Sequence, residues 1–306
     1  MTTTGGNHFL AKRSVYDDIV DAGAQAQGDR FQANSLWYPS YYEAIWGIIG
    51  TTATILPFGD SYHGTPAATT FTTQRATSTG VNATFTWSEA PNAFDTALNL
   101  ASFASYQGVI PIVVFNGTDE EADSPDAAYF TRNDAGGEAF SIGFWAKVTN
   151  TAAARTVFAK FDTALAIQEY WLTINSSDKL EFRVRDDSVP IEVTRISDAA
   201  ITMGSWAHFV MTYDGSGGAS AMDGVTLYQD GAVIASTATN DGSYVAMENG
   251  TSTVSLCHSK GAAGAVTNPY SGSLAGGPLG PFFTQIALTA DQVSRLYNIG
   301  RRALAL

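Results

Sequence analysis

The chain has 306 residues, 45% of them hydrophobic and only 15% charged, which supplies a sizeable core for one large domain or two. A net charge of -13 at pH 7 makes nucleic acid and anionic membrane surfaces poor partners. The 29 glycines, with many Thr, Ser and Ala in short runs between Gly, Asp and Asn turns, mark an all-β protein rather than a helical one.

The first thirty residues are polar and mixed. One patch, SVYDDIVDAGAQA, spaces Val15, Ile19 and Val20 for a single apolar helical stripe, too small for a core and suited to an arm that packs on something else. No apolar core of signal-peptide length opens the chain, so synthesis without Sec export is expected. AIWGIIGTTATILPF is Thr-broken and too short to span a bilayer. NSLWYPSYYEAIWGIIG then gathers Trp37, Tyr38, Tyr41, Tyr42 and Trp46. Such a cluster is either the buried nucleus of a small domain or a contact surface, because aromatic residues are enriched where surfaces meet. Residues 51–86 alternate Thr with apolar residues and predict a few short strands. The texture changes near residue 94, dividing the chain into an irregular, partly β N-terminal arm and docking region, 1–94, and a second domain, 95–306.

Beyond residue 95 the predicted strands are VIPIVVFNG, DAAYFTR, FSIGFWAKV, RTVFAKF, YWLTI, LEFRVRD, WAHFVMTY, VTLYQ, AVIAS, VSLCH and one near GPFFTQIAL. Many short strands with turns between them imply a sandwich or barrel. In SWAHFVMTYDG, Trp206, His208, Val210 and Thr212 fall on one face and Ala207, Phe209, Met211 and Tyr213 on the other. Both faces are bulky, so this strand is covered on both sides. Asp230-Gly231 joins VTLYQ to AVIAS as a type I′ hairpin. LTADQVSRLYNIGRR closes the chain as a short helix, with Thr289 as N-cap, Gln292 completing a capping box, and Gly300 as the stop.

Chemistry-bearing residues are sparse. Cys257 is the single cysteine and reads as a small core residue. His258 beside it points to the opposite face, which argues against a catalytic Cys-His pair. His8, His63, His208 and His258 are scattered without zinc spacing. Glu181, Arg183 and Arg185 alternate onto one face as a solvated, cross-paired surface.

The order of FSIGFWAKV, YWLTI, LEFRVRD, SWAHFVMTYDG, VTLYQDGAVIAS and YSGSLAG…IALTADQVSRLYNIG resembles the laminin-G-like, concanavalin A-like jelly roll, from about Val109 to Gly300. That resemblance implies two antiparallel sheets face to face with a rim of loops. Its members include carbohydrate-binding modules, adhesion domains, glucanases and virion surface proteins. It also implies calcium as a candidate cofactor at the rim. There Glu169 takes the place of a ligand acid that is typically Asp, so no metal site is assigned. Glucanases of the superfamily alternate carboxylates along one strand. The nearest match is Glu121, Asp123 and Asp126, which Pro125 marks as a solvated acidic loop, so no catalytic residue is assigned. An exposed aromatic on the concave face would serve sugar binding; Trp145, Trp171 and Trp206 all sit in strand-like runs and either form the core between the sheets or face outward.

These readings lead to a non-enzymatic structural or surface protein of a virion, a tailed-bacteriophage capsid, decoration or fibre component. It would dock on neighbours or on copies of itself through Trp37, Tyr38, Tyr41, Tyr42 and Trp46, and display a jelly roll that touches glycans. The alternative is an extracellular carbohydrate-binding or adhesion module. A glycoside hydrolase ranks third.

Overall fold

The computed structural model describes residues 38–50, 53–56, 70–72, 74–75, 83–87, 112–149, 151–163, 167–261, 264–304 and 306. The helical patch at Val15–Val20, Trp37, and the side chains of Tyr38, Tyr41 and Tyr42 lie outside that set.

In chain order the elements begin with helix α1 (Tyr38–Ile49), then β1 (Thr54–Ile55), β2 (Thr70–Thr72), β3 (Gln74–Arg75), β4 (Thr84–Trp87), β5 (Ile112–Asn116) and β6 (Ala122–Ser124). The longer strands follow: β7 (Phe140–Val148), β8 (Arg155–Asp162), β9 (Ile167–Ile174), β10 (Leu180–Asp186), β11 (Ile191–Ser197) and β12 (Trp206–Tyr213). The chain then runs through β13 (Val225–Gln229), β14 (Ala232–Val233), β15 (Ser236–Thr239), β16 (Val254–Leu256), β17 (Ser259–Lys260), β18 (Val266–Thr267), β19 (Ser271–Ala275) and β20 (Phe282–Thr284). Helix α2 (Ala290–Ala303) ends it.

These strands form two sheets whose pairings are antiparallel apart from one parallel contact between β17 and β8. The first runs β14-β13-β12-β7-β20-β1-β3, with β19 and β5 joined through the second half of β7. The second runs β15-β11-β10-β9-β8-β16-β6-β4-β2. This is the jelly-roll sandwich with a short C-terminal helix that the strand order implied. Alternation explains the core. Phe140, Ile142, Phe144, Ala146 and Val148 of β7 and Ala207, Phe209, Met211 and Tyr213 of β12 meet Phe158, Tyr170, Leu172, Phe182 and Val184 of the second sheet. The hairpin at Asp230-Gly231 has positive φ at both positions, 52° and 79°, as a type I′ turn requires.

The opposite face of the first sheet is also covered. Trp145, Val210, Tyr228 and Phe282 pack beneath Ile45, Ile48 and Ile49 of α1 and Val293, Leu296 and Ala303 of α2. Phe282 lies opposite Gly143, where a Cβ would come within 2.4 Å of its ring. The last carbonyls of α1 are satisfied from the jelly roll: Thr284 Oγ1 donates to Ile49 at 2.6 Å and Gln292 Nε2 to Ile48 at 2.8 Å. Gln292 also completes the capping box with Thr289. Gly300 does not stop α2, which continues to Ala303. It is small because a Cβ there would lie 2.2 Å from Trp145 Nε1.

Strands from before residue 94 pair with strands from after it: β1 with β20, and β4 with β6. These two pairings cross the division expected between 94 and 95. Two expectations are corrected. DAAYFTR is a turn, closed by Phe130 N–H to Ala127 C=O at 2.9 Å, that lowers Phe130 into the core. The preceding acidic stretch is the strand instead. β6 is paired on both sides, by β4 and β16, because Pro125 falls just past its last residue and removes no ladder bond.

Candidate functional site

Among the described residues, three of the four sheet faces are covered by other elements, two by the core and one by the helices. The fourth is the outer face of the second sheet. Residues directly opposite on neighbouring strands share a face, and one register row crosses almost the whole sheet: Thr86, Asp123, Ser255, Ala159, Trp171, Arg183, Thr194 and Thr239. The next row towards one end adds Thr156, Thr173, Glu181, Ile196 and Thr237.

Trp171 lies at the middle of this surface and is part-buried. Its Nε1 donates to Thr156 Oγ1 at 2.7 Å, the Phe161 ring lies 5.2 Å away, and the Arg183 guanidinium sits 4.7 Å over its face. Arg183 is held in turn by Glu181 and, at 2.7 Å, by Glu192, while Asn175 donates to the second oxygen of Glu181 at 2.9 Å. Arg185 pairs with Asp187 at 2.8 Å. The expected cross-paired face of β10 is thus the floor beside a tryptophan. Trp145 is buried under α2 and Trp206 packs against the helix-covered cluster, so neither lies on this face.

At the other side of Trp171, Asp123 accepts from Ser255 Oγ at 2.7 Å, meets His258 Nε2 at 3.0 Å and pairs with Lys260 at 2.8 Å. Burial pushes its pKa up, but the hydrogen bond and charge of His258, with Lys260 and Ser255, outweigh this and hold it at about 2. Cys257, as expected, is buried in the core, its thiol pKa raised by burial. His208 is buried against Trp145 and near Tyr297, and burial lowers its pKa to about 3.

A second constellation closes one end of the sandwich. The irregular segment 240–253 is pinned by three carboxylates. Asp186 Oδ2 accepts the N–H of Val245 at 3.1 Å and of Ala246 at 3.4 Å. Asp134 Oδ1 accepts the N–H of Met247 at 2.7 Å, and its Oδ2 accepts the hydroxyls of Tyr213 and Tyr244. Glu169 Oε1 accepts the N–H of Gly250 at 3.0 Å and contacts Lys160 Nζ. Glu169 is the extra residue of a bulge, since Tyr170 lies opposite Lys160 and Gln168 opposite Phe161. Its place as a candidate calcium ligand is answered by a lysine, whose ammonium also meets Asp126 Oδ1 at 3.1 Å and the Gly250 carbonyl at 2.9 Å. Among the described residues no group of three His, Cys, Asp or Glu side chains could hold a metal ion. Nor is any helix there long and apolar enough to cross a membrane.

Glycosidic cleavage needs a raised, accessible acid facing a second carboxyl. On the free face Asp123 is held low, and Glu181 and Glu192 both serve Arg183. Glu169 is raised to about 7 by burial, which outweighs Lys160, yet its side chain is fully buried.

Residues 116–275, just over half of the chain, match the laminin G type of the concanavalin A-like lectin/glucanases superfamily. The chain belongs to that superfamily. No curated protein matches the sequence. Among solved structures, the botulinum neurotoxin serotype D binding domain aligns with TM-score 0.52 and 11% identity over 83% of this chain and 52% of that one. The CBM40 of Ruminococcus gnavus IT-sialidase aligns with TM-score 0.41 and 17% identity over 53% and 83%. At these identities the likeness is one of fold. The chain spans about half the length of the botulinum neurotoxin binding domains it matches.

Of the candidate docking residues, Trp37 and the side chains of Tyr38, Tyr41 and Tyr42 lie outside the described residues. Of that set, Trp46 is described and packs partly against the helix-covered cluster. The signals missed in sequence were Lys160, a lone lysine in an apolar strand, and the pairing of Asp134 with two distant tyrosines.

Proposed function

We propose that the chain is a non-catalytic, extracellular glycan-binding module whose ligand lies across the outer face of the second sheet. The observation behind this reading is that the outer face of the second sheet, over which no described element packs, carries a part-exposed tryptophan beside ion-paired polar groups. A pyranose offers an apolar C–H face and a rim of hydroxyls. Trp171, backed by the buried Phe161 ring, suits the first, and the part-exposed Asp123, Arg183, Glu192 and Thr194 suit the second. Asp123 is matched by Lys260 and Asp187 by Arg185, while Glu181 and Glu192 share Arg183, so no cation is left over for an acidic sugar and neutral sugars are favoured. Superfamily membership supports this carbohydrate-binding alternative more than the virion role, which gains nothing from family or fold.

The test is an array of neutral oligosaccharides, followed by calorimetry of the hits. Trp171→Ala should weaken binding at least about tenfold, as loss of a central aromatic anchor does. Trp206→Ala, on the covered side, should leave it unchanged. Equal binding by Trp171→Ala, or no binding to any neutral glycan, would sink the proposal. Assembly through Trp37, Tyr38, Tyr41, Tyr42 and Trp46 is a separate proposal. It predicts a concentration-dependent mass by light scattering that is lost when Trp37 and Trp46 become Ala.

A further inference from the structure

Lys160 is the deepest of the chain's described amines, its side chain fully buried on the inner face of β8 two residues from Phe158. A buried ammonium is costly unless every proton is engaged. Three oxygens engage this one: Glu169 Oε1, the Gly250 carbonyl and Asp126 Oδ1. The two carboxylates differ. Glu169 is fully buried, and its Oε2 has no hydrogen-bond partner among the described residues. Asp126 follows Pro125 in the loop after β6 and is one-third exposed.

The site therefore holds a nucleophile, an electrophile and a proton carrier. Low dielectric disfavours the charged form of a buried carboxylate, which suits Glu169 to take up and release protons beside Lys160. Burial already raises Glu169 to about 7, close to the range of an effective proton carrier. Lys160 Nζ already stands 3.1 Å from Asp126 Oδ1, one bond away from the carboxyl carbon it would attack.

We propose that Lys160 and Asp126 join in an intramolecular isopeptide bond, with Glu169 as the proton shuttle. The Nζ–Cγ bond forms and one Cγ–O bond breaks. The nitrogen loses two protons, Glu169 carries them in turn to the departing oxygen, and that oxygen leaves as water. Ammonium and carboxylate thus become one amide and one water, with no change of oxidation state and no co-reactant. The remaining N–H keeps the Gly250 carbonyl as its acceptor. The bond staples the loop after β6 to β8 at the end of the sandwich where segment 240–253 is pinned.

Intact-mass spectrometry of the purified, denatured full chain decides it. The expected mass is short of the sequence mass by one water, and digestion yields a branched peptide linking Lys160 to Asp126. Glu169→Gln and Asp126→Ala should restore the full mass. Asp126 is part-exposed, so its variant should keep the native circular dichroism even where Glu169→Gln does not. A wild-type chain of full mass overturns the proposal. So does a water loss that maps elsewhere, to a succinimide at Asp230-Gly231 or to a Lys160–Glu169 link.

Discussion

Replacing Ile49 with Ala tests whether the N-terminal helix belongs to this fold. Ile49 is fully buried among Ile45, Ile48, Ile55, Val210 and Leu288 between the first sheet and α2. Its backbone carbonyl is fixed by Thr284, so the helix end has little freedom to collapse into the gap. Truncations of this kind cost about 2–5 kcal/mol, the upper part applying where surroundings cannot relax. We expect about 3–4 kcal/mol, a large share of the ~5–15 kcal/mol that holds a typical domain. The assay is guanidinium unfolding followed by tryptophan fluorescence, and the midpoint should fall with the slope unchanged. A loss below about 0.5 kcal/mol, the range of a surface change, would refute the packing of α1 and return the segment to the role of a free docking arm.

Two glycines inside helices should respond with opposite signs. Gly47→Ala, with open space around it, should stabilise by about 0.5–1 kcal/mol in the same assay, whereas Gly300→Ala, driven into Trp145, should cost about 1–3 kcal/mol. Between pH 4.5 and 6.5 two buried groups oppose each other. Glu169, raised from 4.5 to about 7, adds stability below 4.5 that is lost as pH rises towards 7, while His208, lowered from 6.5 to about 3, adds stability above 6.5 that is lost as pH falls. Unfolding midpoints across that window should therefore rise with pH in Glu169→Gln and fall with pH in His208→Phe, and any offset from the Lys160–Asp126 link is independent of pH. Because a lysine fills the oxygen cage at the sandwich end, chelator or added calcium should leave the melting temperature unchanged, and a calcium-dependent rise would contradict that assignment.

Most of the sandwich was legible because strict alternation marks strands whose two faces meet different surroundings. β12 is the clearest case, with its second apolar face under the helices. Asp230-Gly231 and the Thr289–Gln292 box were legible because each is a local solution to a local geometry. IEVTRIS escaped notice as a strand because β11 lies towards the rim of its sheet with most of its side chains half-buried, so its pattern is weakly apolar. The candidate site was less legible than the fold. Trp145 and Trp171 sit in equally strand-like sequence, and only the placement of α1 and α2 decides which is sealed and which faces out. Glu169 stood out by its position in the family pattern. Its partner was invisible, since nothing in RTVFAKF distinguishes a solvated lysine from one aimed into the core.

The helices over the first sheet make the molecule two-sided, and that fixes how it can be mounted. Arg302 is exposed on α2, on the sealed side. A surface coupled at that position would hold the molecule by its helices and leave Trp171 on the side turned away from the support.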